Sequence, residues 1–299
     1  GGAEAVEAAL KTATLKSGKS GVLAFWGSYH GLSYGALAVT AYKDAFRLPF
    51  RAQLGGHARH LPYGEDLSLI ERFLEGPATG ADSIGAILVE PIQGRGGEVV
   101  APDSWLRGLR ALADRFGACL VFDEIYSGLG RSGKWWAGDW AGVVPDILCA
   151  GKALGGGMPI GACIATPDVM AAWGQSQGEA IHTSTFLGHP VSSAAALASL
   201  EVLESMNAPV QAMAVEKRLK NRFGSLIRGR GAMLGVETGH AGSAAKISGH
   251  LLKAGYIVLP GGVKNDIVGI TPPLVLTDPQ WDGALDALEA ALIQEGIRP

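Results

Sequence analysis

Short apolar runs alternate with amphipathic segments along most of the chain. The apolar runs have no polar face, which is typical of strands buried on both sides in an α/β sheet, and they predict strands at 21–26, 84–92, 118–125, 147–152 and 159–166. Apolar residues at helical spacing predict helices at 4–17, 67–76, 102–116, 190–205 and 208–229. Strands and helices that alternate in this way indicate a doubly wound α/β fold with a mostly parallel sheet and flanking helices.

The pattern of apolar and polar residues changes near residues 206–210. Beyond this point the pattern reads strand, helix, strand, strand, helix over 230–299, which is typical of an α+β unit. We therefore expect a large domain over residues 1–206 and a smaller C-terminal domain over residues 207–299.

Composition narrows the class of protein. Hydrophobic residues make up 47% of the 299 residues and charged residues 18%, as in a folded globular protein. The net charge of −3, without a long run of one sign, gives no indication of nucleic acid or an anionic membrane as a partner. Cys119, Cys149 and Cys163 lie far apart in apolar surroundings, so we expect reduced, buried thiols in a cytoplasmic protein. No metal site is predicted.

The most conspicuous motif is a glycine-rich loop in VFDEIYSGLGRSGKWW, residues 121–136. It contains G-x-G-x-x-G, and with Lys134 it nearly matches a P-loop. However, Trp135 occupies the position where a P-loop needs Ser or Thr, and the following residues hold Gly, Pro and Trp where a phosphate-binding helix should begin. We therefore predict a turn-rich loop that runs over the surface, with nucleotide binding as the alternative.

An acid and a lysine end two of the predicted strands. Asp123 lies at the end of one, and Lys152 ends the next within AGKALGGG. Ligands of α/β sheets bind beyond the carboxyl ends of the strands. Two interpretations stay open at this point: a structural salt bridge between the two side chains, or a site for pyridoxal phosphate, which needs a lysine for its Schiff base and an acid at its pyridine nitrogen.

Six motifs in order extend over nearly the whole chain: GGAEAVEAALKTA, FWGSYHGLSYGAL, ILVEPIQGRGG, VFDEIYSGLGRSG, AGKALGGGMPIGA and HTSTFLGHP. They resemble the class III pyridoxal-phosphate aminotransferases of fold type I, which include acetylornithine, ornithine and 4-aminobutyrate aminotransferases. The resemblance implies transfer of an amino group from an amine or an (omega-)amino acid to a 2-oxo acid. Other fold type I activities (aminomutase, racemase or decarboxylase) and a truncated inactive paralogue are the alternatives.

The same resemblance assigns roles to individual residues. Lys152 is expected to form the Schiff base and to move the substrate proton, and Asp123 is expected to hold the proton on the pyridine nitrogen. Tyr29 is expected to stack on the cofactor ring. Tyr126 stands where many relatives carry Gln, Val, Ile or Ala, and we expect its hydroxyl to reach the phenolic oxygen of the cofactor.

The phosphate group is expected at the start of the first helix. The backbone of Gly2 and Ala3 offers free N–H groups there, and the resemblance implies that Thr185 adds a hydroxyl from the partner subunit, hence a homodimer. The chain begins inside the first motif, so the resemblance implies that the N-terminal segment of the family is missing and that the phosphate site is only half built.

The substrate side departs from the family pattern. Arg95 and Gly269 stand where the ornithine and 4-aminobutyrate enzymes carry a switched Glu–Arg pair that binds a carboxylate. We expect Arg95 to supply a replacement guanidinium, and a solvated loop arginine is the alternative.

Four further polar residues lie within the motifs: His30, His182, Gln93 and Glu124. We treat them as structural hydrogen-bonding groups outside the site.

Overall fold

The computed structural model describes residues 1–76 and 84–298. In chain order, the strands are β1 (Gly21–Phe25), β2 (Ala58–Leu61), β3 (Ile84–Val89), β4 (Ile92–Gln93), β5 (Val99–Val100), β6 (Cys119–Asp123), β7 (Ile147–Ala150), β8 (Ala162–Ala165), β9 (Ile227–Arg230), β10 (Met233–Glu237), β11 (Leu259–Gly261) and β12 (Ile267–Ile270). The α-helices are α1 (Gly2–Ser17), α2 (Tyr34–Val39), α3 (Asp44–Arg47), α4 (Leu67–Glu75), α5 (Asp103–Phe116), α6 (Pro167–Met170), α7 (Pro190–Ser205), α8 (Ala208–Phe223), α9 (Ser243–Lys253) and α10 (Asp278–Gln294).

The central sheet has the strand order β2-β1-β3-β6-β7-β8. All neighbouring pairs are parallel except β7 with β8. The register pairs Val121 with Ile147 and Asp123 with Cys149, so β6 and β7 end side by side. This order brings the carboxyl ends of β1, β3, β6 and β7 to one edge of the sheet.

Helices cover both faces of this sheet, as its doubly apolar strands require. On one face α1 packs its buried Ala5, Val6 and Ala9 against a cluster that includes Val121 and Cys149. On the other face α4 and α5 cover a cluster that contains Phe25 and Trp105, whose rings meet edge to face at 4.9 Å.

The C-terminal part has its own sheet and its own core. Its four strands follow the antiparallel order β11-β12-β10-β9, and α8, α9 and α10 contribute Leu219, Ile247 and Leu288 to the hydrophobic cluster beside it. The short antiparallel pair β4–β5 precedes α5 and carries Arg95 and Glu98 in its connecting turn.

Most elements agree with the sequence prediction, and the differences have physical causes. The predicted helix 208–229 ends at Phe223, because Gly224 adopts φ +54° and β9 begins at Ile227. Strand β2 is not among the predicted strands, because Arg59 and His60 interrupt its short sequence ARHL and leave no continuous apolar run. No helix in the described part of the chain is long and apolar enough to cross a membrane.

The glycine-rich loop after β6 is built of turns, as predicted, but the prediction that it runs over the surface is wrong. Ser127–Gly130 and Ser132–Gly133 are buried. A methyl group on Gly130 would lie 2.8 Å from the Ala208 side chain at the start of α8. The loop therefore fills space between the large sheet and α8 instead of exposing its N–H groups to a nucleotide.

Candidate active site

Four polar side chains follow one another along the carboxyl edge of the central sheet. Tyr29 comes after β1, Glu90 directly follows β3, Asp123 ends β6 and Lys152 comes after β7. Because these strands are neighbours in the order β1-β3-β6-β7, residues far apart in the sequence meet at the place where α/β proteins bind their ligands.

Asp123 is held from two sides. Its side chain is 5% exposed, Oδ1 accepts the backbone N–H of Ile125 at 3.1 Å, and Oδ2 lies 2.7 Å from Nδ1 of His30. With Nδ1 protonated, His30 donates to the carboxylate and fixes its orientation. The Nε2 atom of His30 is buried and has no hydrogen-bond partner among the described residues.

His30 therefore belongs to the environment of Asp123. It is a structural hydrogen-bonding group, as expected, but its partner is the candidate site acid, so it does not lie outside the site. The histidine lies next to Tyr29 in the same motif, and this proximity was the available signal. The pairing with Asp123 joins residues 93 positions apart.

Lys152 sits in a constrained turn at the end of β7. Its φ of +42° lies in the left-handed region that non-glycine residues rarely adopt. The amine lies 4.5 Å from the ring centroid of Tyr126, and no ion pair joins it to Asp123, whose carboxyl group contacts His30 instead. The structural salt bridge considered from the sequence is therefore not formed.

The amine of Lys152 faces a cavity and stays accessible to solvent. The protein atoms around it nevertheless lower its pKa through desolvation, an effect that Asp123 and Glu90 oppose and Arg95 adds to. A lowered pKa increases the fraction of neutral amine, which is the form that acts as a nucleophile or a base.

The cavity has a volume of about 1200 Å³ and lies between the large sheet and the C-terminal sheet. Its polar wall contains Tyr29, Glu90, Arg95, Tyr126 and Lys152. Its apolar wall comes from the C-terminal part and includes Leu251, Tyr256, Val258, Ile270, Leu276 and Trp281. A large concave space with a few convergent polar groups is the usual form of a small-molecule site.

Arg95 and the two tyrosines shape the mouth of this cavity. The guanidinium carbon of Arg95 lies 4.8 Å from the ring centroid of Tyr29, a cation–π contact. The Tyr126 hydroxyl donates to Oγ1 of Thr271 at 3.3 Å, and burial raises the pKa of Tyr126. Arg95 is exposed and forms no ion pair with a described carboxylate, so its charge is available to an anionic ligand.

Glu90 connects two of the loops around the cavity. It is buried and accepts the backbone N–H of Tyr29 at 3.0 Å and that of Gly94 at 3.2 Å. Burial raises the pKa of Glu90 to about 7, helped by Asp123 and opposed by His30. This residue positions Tyr29 and the turn that carries Arg95.

The start of α1 lies against the loops of the candidate site. A methyl group on Gly2 would lie 3.0 Å from the side chain of Ile125, and one on Gly31 would lie 2.7 Å from that of Ala3. The helix N-terminus thus approaches the loops after β1 and β6, where glycines allow close contact. Thr185 is exposed and does not line the described wall of the cavity.

Glu124 and Gln93 hydrogen-bond to neighbouring loops, in agreement with the expected structural role. Glu124 accepts hydrogen bonds from the hydroxyl of Ser127 and the backbone N–H groups of Ala137 and Gly138. Gln93 donates to the carbonyl of Trp26 at 2.9 Å. Both side chains hold loops in place behind the cavity.

The fold and this arrangement define an aminotransferase. Residues 1–292 match the family model for class III aminotransferases, and the chain belongs to this family. The predictions of family, fold class, transaminase activity and pyridoxal phosphate as cofactor are confirmed. The alternatives of another fold type I activity and of an inactive paralogue are not favoured.

Among solved structures, the chain is similar to an amine transaminase from an uncultivated Pseudomonas species in its pyridoxal-phosphate-bound form, with a TM-score of 0.87 and 29% identity. The match covers 98% of this chain and 75% of that one. It is also similar to the ornithine aminotransferase of Toxoplasma gondii, with a TM-score of 0.86 and 28% identity over 98% of this chain and 71% of the other.

Proposed function

We propose that this transaminase holds pyridoxal phosphate between Lys152 and Asp123 and moves an amino group from an amine or an amino acid to a 2-oxo acid. One observation supports this proposal above all. A lysine amine of lowered pKa and a buried acid end neighbouring strands without pairing to each other. Each group therefore stays free to contact a bound cofactor.

When bound, pyridoxal phosphate supplies an aldehyde carbon for amines and a ring that accepts the electron pair left by a departing proton. Lys152 would attach the cofactor through Nζ and, once released, would take the proton from the substrate carbon and return it at the cofactor carbon. The lowered pKa supports this role, because the neutral amine is the base.

Asp123 would hold a proton on the pyridine nitrogen through its carboxylate. The contact with His30 supports this role, because a donor at Oδ2 and the N–H of Ile125 at Oδ1 keep the carboxylate in one orientation. A carboxylate held in this orientation could accept a hydrogen bond from the protonated nitrogen.

Four further residues would contact the cofactor. Tyr29 would cover a face of the ring, and the Tyr126 hydroxyl, which now contacts Thr271, would turn to the phenolic oxygen. The first N–H groups of α1, at Gly2 and Ala3, have no acceptor within the helix and would bind the phosphate.

Arg95 would bind the carboxylate of the 2-oxo acid. Its guanidinium is in the cavity wall and has no described carboxylate partner, and the Tyr29 ring holds it in place. Arg95→Ala should raise the KM for 2-oxo acids by about tenfold or more and leave that for amine donors without a carboxylate within about twofold. Unchanged KM values for every carboxylate substrate would refute this role.

We also propose a homodimer in which Thr185 contacts the phosphate bound by the partner subunit. The segment beside Thr185 exposes large apolar side chains, namely Phe186, Leu187 and Val191, as expected of a protein interface. Sedimentation should give a dimer, and Phe186→Ser with Leu187→Ser should weaken it.

The free cysteines support a cytoplasmic location, and the separate core of the C-terminal part supports a domain boundary at residues 206–207.

The decisive experiment is an absorbance spectrum of the protein with pyridoxal phosphate. A visible band should form, and borohydride should convert it into a stable mass increase on the peptide that contains Lys152. Lys152→Ala should lack both signals, whereas Lys134→Ala, in the glycine-rich loop, should keep them. A mass increase that persists in Lys152→Ala would refute the assignment of the lysine.

A further inference from the structure

Glu98 is a buried acid in the wall of the same cavity. Glu98 lies in the turn between β4 and β5 with φ +50°, and the residue is only 3% exposed. Its Oε2 atom has no hydrogen-bond partner among the described residues, although buried polar atoms are almost always paired. The backbone N–H groups of Gly97 and Glu98 donate hydrogen bonds to the carbonyl of Gly94. These bonds hold Glu98 in its strained backbone conformation.

Three glycines on three different strands lie against this carboxyl group. A methyl group on Gly235 would lie 3.0 Å from Oε2, and one on Gly269 would lie 3.2 Å from Oε1. Gly261 lies slightly farther, with a corresponding distance of 3.8 Å to Oε2. A side chain at Gly235 or Gly269 would crowd the carboxyl group, so the glycines at these positions of β10 and β12 allow Glu98 to lie against the C-terminal sheet.

The cation that acts on Glu98 is already paired with another carboxylate. Arg228, the cation that lowers its pKa, is paired with Glu237 at 2.8 Å. Burial dominates and, with the help of Glu90, raises the pKa of Glu98 to about 8. The same cavity wall contains Tyr126, whose pKa the charge of Glu98 raises, and Arg95, whose guanidinium lies against the ring of Tyr29.

We propose that Glu98 binds the distal ammonium group of the amino donor, so that the enzyme prefers α,ω-diamines over monoamines of the same length. The proposal rests on the function proposed above, because it places the reacting amine of the donor at Lys152 in the same cavity. Arg95 would then bind the anionic 2-oxo acid and Glu98 the dicationic donor, two substrates that enter this cavity one after the other.

The first test compares donors that differ only in the distal group. The substrates are 1,4-diaminobutane, 1,5-diaminopentane and 1,6-diaminohexane, each with the monoamine of the same length, and pyruvate is the acceptor. For the best-fitting diamine, kcat/KM should exceed that of its monoamine by roughly 10- to 100-fold, the range of a charged hydrogen bond. Glu98→Gln should remove this preference and leave kcat/KM for monoamines within about twofold.

The second test measures binding without turnover. Calorimetry with the full chain carrying Lys152→Ala, without added cofactor, should detect 1,5-diaminopentane or its best-fitting homologue. Since binding selects the ionised carboxylate, the affinity should rise by about 20-fold between pH 6.5 and pH 8.5, as expected for a pKa of about 8. Adding Glu98→Gln should abolish both the binding and its pH dependence.

The two tests separate the two proposals. No preference for any diamine in the wild type, or a preference that survives Glu98→Gln, would overturn the role of Glu98 even if monoamines are good donors. Failure of every donor, together with an absent cofactor band, would overturn the proposed function, and the calorimetric result would then decide on Glu98 alone.

Discussion

Glu124 provides a sensitive test of how the loop behind the cavity is held. The residue is 1% exposed and accepts the Ser127 hydroxyl at 2.7 Å and the backbone N–H groups of Ala137 and Gly138, each at 2.8 Å. The two backbone donors use different carboxyl oxygens. A glutamine has one oxygen and one amide nitrogen that can only donate, so in either orientation one backbone N–H of the loop would face another N–H.

Glu124→Gln should therefore be far more destabilising than its size suggests. A buried donor without an acceptor costs about 1–3 kcal/mol, and repulsion between the facing N–H groups brings the expected loss to about 3 kcal/mol. With an unfolding entropy of about 2.1 cal/mol/K per residue, the 299 residues give about 0.6 kcal/mol/K, so the melting temperature should fall by about 5 °C. Ser127→Ala, the matched control, leaves both backbone bonds intact and should cost about 1 kcal/mol.

The pH dependence adds a second signature. Burial raises the pKa of Glu124 to about 7 from 4.5, and a protonated Glu124 still satisfies the loop, since its hydroxyl donates to Ser127 and accepts a backbone N–H. A folded pKa above the unfolded one stabilises the fold most below pH 4.5, and this stability is lost as the pH rises through 7. The difference between wild type and Glu124→Gln should thus narrow by about 2 kcal/mol between pH 5.5 and pH 8.

Urea denaturation at several pH values measures these differences directly. A glutamine variant as stable as the wild type at pH 5.5 would refute the account of the two backbone donors. A difference that widens with rising pH would show that the carboxylate, and not the neutral acid, is the favoured form in the fold.

Three further predictions concern the candidate site and the thiols. His30→Ala should weaken pyridoxal phosphate binding by about tenfold, because Asp123 loses a charged hydrogen bond. Titration of the visible band with pyridoxal phosphate measures the affinity. The control variant His182→Ala should bind the cofactor as the wild type does. Tyr126→Phe should raise the pH at which the visible band changes colour by about one unit, since the hydroxyl no longer stabilises the deprotonated form; an unmoved titration would refute the contact. Of the thiols, half-buried Cys163 should react with a disulfide reagent before Cys149, which is fully buried with a strongly raised pKa; equal rates would contradict this order.

The sequence predicted the parts of the site that depend on strand ends. Apolar runs ending at Asp123 and near Lys152 suffice to place both side chains at the carboxyl edge, because parallel strands in an α/β sheet end together. The contact between His30 and Asp123 could not be read in the same way. It depends on β3 lying between β1 and β6, and the spacing of residues along the chain carries no information about strand order.

Burial of irregular segments was the other property that the sequence did not reveal. The turns of the glycine-rich loop follow from its glycines, but its burial depends on α8, which packs Ala208 and Met213 against Gly130 and Gly133. A helix from a later part of the chain thus decides whether a loop faces solvent. Local patterns of polarity, which predict helices and strands well, are uninformative where a loop has no periodic face.

Glu98 and Glu124 show why partners, and not burial, distinguish a binding group from a structural one. Both acids are almost fully buried, and burial raises both pKa values. Glu124 receives three hydrogen bonds from its own loop, so any ligand would have to displace them. Glu98 lies in the cavity wall and has a buried oxygen without a hydrogen-bond partner among the described residues, and a ligand cation would supply the missing bond without breaking another. The same burial therefore stabilises a loop in one case and favours binding of a cation in the other.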